Sequence, residues 1–525
     1  MGVLIGLGFS SRFFAQVNAS RVEGIVTDPQ GLPVPGVELK LMETRMGLQR
    51  TADSSSAGSY EFPSLGPGAY ELSARAQGFA PAAMRFTLEV NQTLRLDFSL
   101  QMGQTSQRVE VVGAAQALRT ADASLGEVIE PTLTQELPLN GRHLLDLAQL
   151  APSVHAGFGA QTGKANPLYW RPQQNSALSV GGGRPNANYF LLDGSTDTDP
   201  TFSTLAFSPS PDAVREFKVQ TGSYSAEFGG AGGAQINVIT RSGGNELHAD
   251  IYEFIRNSAL DARSLNDPSQ IPHLVQNQFG ASAGGPIQKD RTFFFANYEG
   301  LRLGNGVSQV ETVPTLAERQ GDFSQSGRTI YDPSTTRPNP AFDPTKPVSP
   351  SNPKILRDPF SGSVVPQLNA VALAVLNVIP LPNLEGGRPD SNNYLDLRTG
   401  RNSSDQATGR MDHNFVRGDA LFARYSFGHE RDFTPQNLPG FGAFDNNLTQ
   451  NLTVSYTRML SPGAVNTFWF GMSRLSMHRY SENNFTRDYV TELGIQGVGF
   501  GGKGAWGMPW FAIQGYDGMG DSFAA

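Results

Sequence analysis

The chain has no cysteine among its 525 residues. A disulfide-stapled fold and a thiolate-ligated metal centre are therefore both excluded. Charge is sparse as well: Asp, Glu, Lys and Arg make up 17% of the sequence, with a formal net charge of −8. That is low for a water-soluble protein and leaves no basic footprint for nucleic acid. Long apolar runs are missing too. The longest, Val3–Phe9 and Val371–Pro380, fall well short of the roughly 20 residues a membrane helix needs. Any membrane span must therefore be built of strands.

Catalytic constellations are equally scarce. The seven His are scattered, without HExxH and without a close pair. Neither enzyme activity nor a cofactor is expected. Gly497–Gly502 spells GxGxxG, but the KGAWGMPW that follows cannot open a helix. Gly159–Ala165 lacks P-loop spacing and has Ala165 where Ser or Thr is needed. Asp193, Asp197 and Asp199 alternate like calcium ligands, yet Thr204 stands where the closing Glu belongs. The expectation there is an Asp-rich loop without metal.

What the chain does have is glycine (58), proline (35), Phe (33) and Tyr (14), the composition of many strands and turns. In residues 1–19, the apolar VLIGLGF and Val17-Asn18-Ala19 ahead of Ser20 read as the end of a signal peptide without its basic start. Residues 20–101 run as short alternating strands (RVEGIVTD, VELKLME, GAYELSARA) separated by Pro/Gly turns, the pattern of a small antiparallel sandwich. GIVTDPQGLPVPGVELKL and AGSYEFPSLGPGAYELSARAQGF resemble the carboxypeptidase regulatory-like domain. The resemblance implies a transthyretin-like fold, grouped with carbohydrate-binding-like folds and accessory rather than catalytic.

Residues 102–116 read as a linker, and 117–244 as a compact α+β unit. Within the latter, Leu144, Leu147 and Leu150 recur at helical spacing and Pro152 stops the pattern. Glycines Gly229, Gly230, Gly232 and Gly233 lie between the strand-like FKVQ and QINVIT, not ahead of a helix, so they do not read as a phosphate cradle. From 245 to 525 the pattern becomes that of barrel strands. Leu452, Val454 and Tyr456 alternate with Thr453, Ser455 and Thr457, as expected where one face meets lipid and the other a lumen. Seven such segments fall near 246–257, 275–285, 291–302, 406–416, 420–430, 448–459 and 464–479. The gaps between them alternate: long at 258–274, 303–405 and 431–447, short at GPIQKD, VRGD and LSPG. Outer-membrane barrels alternate long outer loops with short periplasmic turns in this way.

GGGRPNANYFLLDG and VREFKVQTGSYSAEFGGAGGAQINVITRSG resemble successive plug motifs of TonB-dependent outer-membrane receptors. LPLNGR, YEFIRN and GRMDHNF are closest to their Oar-like branch, which joins a regulatory-like domain to plug and barrel. The resemblance implies a mainly β protein: sandwich, plug at 117–244, and the first strands of a barrel that has about 22 in plugged transporters. The chain reads as the N-terminal part of such a protein. It implies energy-coupled uptake across the outer membrane of a Gram-negative bacterium, with outer-membrane lipid, a TonB-type inner-membrane protein and an extracellular solute as partners.

Two sets of residues follow from it. Arg108, Val109, Glu110, Val111, Val112 and Gly113 form the candidate TonB box, an extended strand that a partner could capture by strand addition. Arg184, Asp193, Arg215 and Glu216 are charges in a Gly-rich apolar unit and must pair if buried. They are the candidate polar network holding plug to wall, with plain surface charges as the other reading. Two other functions stay open: an outer-membrane adhesion or glycan-binding protein, and a secreted protein of several sandwiches.

Overall fold

The computed structural model describes residues 20–103, 109–112, 124–129, 139, 142–156, 178–200, 203–224, 229–230, 232–263, 271–384, 391–416, 418–436, 438–461, 464–499 and 501–521. Residues 1–19, expected from the sequence to end a signal peptide, and two residues of the candidate box, Arg108 and Gly113, lie outside them.

The first unit is a two-sheet sandwich. Its strands are β1 (Ser20–Thr27), β2 (Glu38–Glu43), β3 (Gln49–Asp53), β4 (Ser59–Leu65), β5 (Gly68–Arg75), β6 (Ala82–Leu88), β7 (Thr93–Arg95), β8 (Phe98–Ser99) and β9 (Val109–Val112). β1 is central in one sheet, antiparallel to β4 and parallel to β7 and β8. The other sheet runs β3-β2-β5-β6-β9. Alternation sends Val22, Val26, Leu39, Leu41, Phe62 and Leu72 into a shared core, as two facing sheets require.

The second unit comprises β10 (Leu125–Ile129), β11 (Val154–Ala156), β12 (Leu178–Val180), β13 (Tyr189–Leu192), β14 (Ser195–Thr196), β15 (Val214–Gly222) and β16 (Gln235–Thr240). Five of them form a sheet in the order β10-β15-β16-β13-β14. The predicted helix is a 3₁₀ helix at Leu144–Leu150. Its Leu144 and Leu147 enter the core with Phe190, Phe217 and Ile236, while Leu150, at its end, stays 54% exposed. His143 at the N-cap makes no side-chain cap, and the Asp146 N–H bonds to His143 O in the tighter turn (3.1 Å).

The third unit is one antiparallel sheet. It opens with β17 (His248–Asn257), β18 (Leu274–Gln288) and β19 (Thr292–Gly306). A long insertion carries the short β20 (Gln309–Glu311), β21 (Arg337–Pro338), β22 (Ile355–Leu356) and β23 (Tyr394–Asp396). The sheet then continues through β24 (Thr399–Asn414), β25 (Ala420–Pro435), β26 (Gly442–Ser461) and β27 (Ala464–Ser481), in the order β17-β18-β19-β24-β25-β26-β27. On β26, Asn447, Thr449, Asn451, Thr453 and Ser455 are buried, whereas Leu448, Leu452 and Val454 lie on the opposite, more open face. This inversion, polar inside and apolar outside, is the barrel pattern. Ile251, Phe468 and Phe470 carry the exposed apolar band across the outer face.

Connections at one end of the sheet are short: 289–291, 415–419 and 462–463. At the other end they are 258–273, 307–398 and 436–441. The last corrects the long gap expected at 431–447. β25 and β26 extend through HERDFT and FDNNLTQ, where the outward face turns polar near the rim and the alternation that marks a strand fades. The insertion and the segment after β27 share a core: Val313, Val375 and Tyr394 pack with Phe441, Tyr489 and Met508. Together they form a cap over the long-loop end.

Candidate functional site

The middle unit packs against the polar face of the strand sheet through two groups of charges. The first centres on Asp193, which ends β13 in the left-handed region (φ 48°) ahead of Gly194 (φ 84°). A Cβ on Gly194 would lie 2.7 Å from the Trp469 ring of β27, so the Asp-Gly pair sets both the turn and the close approach to the wall. Asp193 Oδ2 lies 2.9 Å from Arg424 Nε of β25, and Oδ1 3.3 Å from Arg410 Nη1 of β24. Thr240 donates to the same carboxylate from its N–H (2.9 Å) and its Oγ1 (2.7 Å).

Arg424 is fully buried. It also donates to Leu192 O (3.3 Å), Asn451 O (3.2 Å) and Thr453 Oγ1 (2.6 Å). Arg410 is held by Asp412 at 2.8 Å and lies over the Phe422 ring at 4.4 Å. A buried charge is tolerable only when paired and hydrogen-bonded in this way. Thr453 Oγ1 donates to Ser195 Oγ (3.0 Å), and Asn451 Nδ2 to Asp197 Oδ1 (3.1 Å). Burial pushes the Asp197 carboxyl well above the usual carboxylate range, against the pull of Arg424 and the Asn451 hydrogen bond.

The second group centres on Arg142. Its Nε donates to Glu299 Oε2 of β19 (3.1 Å), and its Nη2 pairs with Asp212. The guanidinium stacks over Tyr252 (4.5 Å) and Phe254 (4.9 Å) of β17. Glu299 accepts further bonds from Tyr252 Oη (2.7 Å), Gln278 Nε2 (3.2 Å) and Gln406 Nε2 (3.0 Å). Beside it, Ser210 Oγ donates to Asn297 Oδ1 at 2.8 Å.

The sandwich docks at the short-turn end. Val90 N donates to Glu216 Oε1 (2.6 Å), and Lys218 Nζ donates to Asn91 O (3.1 Å). Glu216 and Lys218, two residues apart on β15, thus clasp one turn of the sandwich. Arg45 Nη1 donates to Ser242 O (3.0 Å), Asn245 N to Arg45 O (3.1 Å), and Asn414 Nδ2 to Met46 O (3.4 Å). Where sandwich, middle unit and wall meet, they enclose a cavity of about 160 Å³.

Of the four charges singled out from the sequence, Asp193 joins the wall. Arg215 and Glu216 face the sandwich: Arg215 Nη2 lies 3.2 Å from where a Cβ on Gly68 would stand. Arg184 is exposed, before a short turn. Val109–Val112 of the candidate box forms β9, parallel to Ala82–Arg85 of β6. Arg142, Glu299, Asp212, Arg410 and Lys218 were not anticipated. A signal was available for some of them: Arg142 closes LPLNGR, Arg410 opens RMDHN, and Glu299 is a lone charge in the aromatic run FFFANYEG.

Residues 239–525 match the family model described as an outer membrane beta barrel domain, and residues 21–101 that of the carboxypeptidase regulatory-like domain. The TonB-dependent transporter Oar of Myxococcus xanthus is 29% identical over 314 residues, 56% of this chain and 28% of that protein. The chain thus spans well under a third of that relative's length. Among solved structures, the outer membrane transporter YddB from Escherichia coli overlaps 68% of this chain and 40% of its own (TM-score 0.43, 11% identity). The ferric enterobactin receptor of Pseudomonas aeruginosa overlaps 68% and 46% (TM-score 0.32, 11% identity).

Proposed function

The chain belongs to the outer membrane beta barrel domain family, and from that premise we propose that it works in energy-coupled uptake of a solute through the outer membrane. The observation that carries the reading is the Asp193–Arg424 pair. It fastens a separately folded unit, the plug, to the lumen face of the strand sheet. A plug held by a few buried charge contacts, rather than by a continuous apolar core, can be released by breaking them in turn.

In this reading the short-turn end, where the sandwich docks, is periplasmic, and the cap of residues 307–398 and 482–521 is extracellular. Solute meets the cap and the plug from outside. The inner-membrane TonB-type protein captures Arg108–Gly113 by strand addition and pulls. Because Val109–Val112 pairs with β6 of the sandwich, the pull acts on the sandwich as well as on the plug that follows the box in the chain. A second reading, adhesion, rests on the cap, whose own core gives it a rigid outer surface.

Growth on single scarce solutes separates them. Three strains are compared: wild type, one lacking residues 108–113 of this protein, and one lacking the inner-membrane energising protein. Uptake predicts a solute on which both altered strains fail while the protein stays in the outer membrane. Adhesion gains if no solute distinguishes them and cell attachment changes when the cap is removed.

A further inference from the structure

The junction cavity holds more guanidinium groups than its carboxylates can pair. Arg45 and Arg50 reach it from the sandwich, Arg215 from the plug and Arg410 from the wall. Arg410 is matched by Asp412 and Asp193, and Asp193 is shared with Arg424. The other three are less well met. Arg45 gives Nη1 and Nη2 to Ser242, a neutral partner, and its buried Nε has no acceptor. Arg50, 6% exposed, gives Nη1 to Pro63 O (2.8 Å), and its Nε likewise has none. Arg215 makes no side-chain hydrogen bond or ion pair among the described residues.

Two carboxylates remain for these three cations. Glu43 accepts from Met46 N at 2.5 Å and faces Arg215 across Gly68. Asp419 acts on Arg50 from the wall but is bonded to Tyr456 Oη (3.0 Å) and Met459 N (3.0 Å). A surplus positive charge is left in a space walled by Leu48, Leu65, Phe422 and Trp469. Burying it unpaired is costly, and the apolar walls strengthen whatever anion meets it.

We propose that this junction is a binding site for a tetrahedral oxyanion of the phosphate or sulfate type, held by Arg45 and Arg50 of the sandwich and Arg215 of the plug. The cavity, about 160 Å³, has room for such an ion and several waters. Forked guanidinium donors suit a tetrahedral oxyanion better than a spherical chloride. Burial, and then Arg215, lower the Arg45 pKa to about 10, so it remains a cation at neutral pH. Because its donors come from two domains, the ion ties the sandwich to the plug.

Thermal unfolding of the full-length protein in detergent tests this, with inorganic phosphate against sodium chloride of equal ionic strength. Phosphate is expected to raise the melting temperature saturably. Arg45→Gln and Arg215→Gln should each weaken the apparent affinity at least tenfold. Without phosphate these variants should melt at or above the wild-type temperature, since the surplus charge is gone. No phosphate-specific rise in the wild type, or an equal rise in the variants, overturns the proposal. Should the variants fail to fold, wild-type crystals soaked in selenate decide. An anomalous peak within hydrogen-bond reach of Arg45 and Arg215 supports the site, and its absence there refutes it.

Discussion

Asp193 and Arg424 are 231 residues apart in the chain, yet Oδ2 of one lies 2.9 Å from Nε of the other. Neither is more than 2% exposed at the side chain. One belongs to the plug and the other to the wall. Removing Asp193 strands Arg424 and leaves Arg410 with Asp412 alone. Asp193→Ala should therefore cost about 3–5 kcal/mol of plug stability, the usual cost of leaving a buried charge unpaired. Asp193→Ala combined with Arg424→Met should cost less than Asp193→Ala alone. Urea midpoints of the full-length protein check both, and a double variant worse than the single contradicts the pairing.

The second fastening gives an independent prediction. Glu299→Gln keeps the shape of the Arg142 site but removes the charge that Arg142 faces at 3.1 Å. Together with Asp212→Asn it should loosen the plug enough to admit bulky, normally excluded antibiotics. Asp212→Asn alone should do so less, since Glu299 and the Tyr252 ring still hold the guanidinium. Sensitivity equal to wild type in the double variant would mean that Arg142 does not restrain the plug.

The seven-stranded sheet was readable in advance because lipid and lumen impose opposite chemistry on alternate residues. Leu452, Val454 and Tyr456 face one way, and Thr453, Ser455 and Thr457 the other. The same parity puts Arg424 on the lumen face, and the Asp-Gly after an apolar strand marks Asp193. The pairing of Arg142 with Glu299 was not readable, since a contact across 157 residues is set by how plug and wall dock. Nor was the orientation of Arg215 and Glu216 towards the sandwich: β15 is buried on both faces, so its alternation does not say which neighbour the polar face meets. The common core of the cap was hidden for a further reason: it draws on segments separated by four strands.

Two groups give opposite pH dependence. Burial lowers the pKa of His143 in the plug to about 4, against about 6.5 in an unfolded chain. The native state favours the neutral ring. Stability is therefore flat above pH 6.5 and falls as pH drops from there through 4. His143→Gln should flatten that limb of a plot of urea midpoint against pH. An unchanged acid limb means that His143 is not the titrating group.

Glu311, in the cap, behaves the other way. Burial, and then Asp517 and Asp396, raise its pKa to about 7, above the unfolded carboxyl value near 4.3. Its contribution is full below that value and is lost as pH rises through 7. Asp517 accepts from Thr312 N at 2.6 Å, so the strain falls on the contact between the insertion and the segment after β27. Proteolysis within 482–521 should quicken between pH 5 and 8 in the wild type and much less in Glu311→Gln. Equal pH dependence in both would remove Glu311 from the explanation.

The sandwich also offers a mechanical prediction. The chain has no native cysteine, so Asn91→Cys and Lys218→Cys can be joined by a short bismaleimide without side reactions. The link fixes the sandwich to the plug where Lys218 Nζ meets Asn91 O. If the sandwich must leave before the plug opens, the link stops uptake. If the two move as one body, uptake survives.

The most direct test of energy coupling needs no knowledge of the solute. The purified periplasmic domain of the cell's TonB-type protein is titrated onto the full-length receptor, with and without residues 108–113. Saturable binding to the intact protein is expected, with at least a tenfold loss of affinity on deletion. Equal affinity for both forms would contradict the energy-coupled reading.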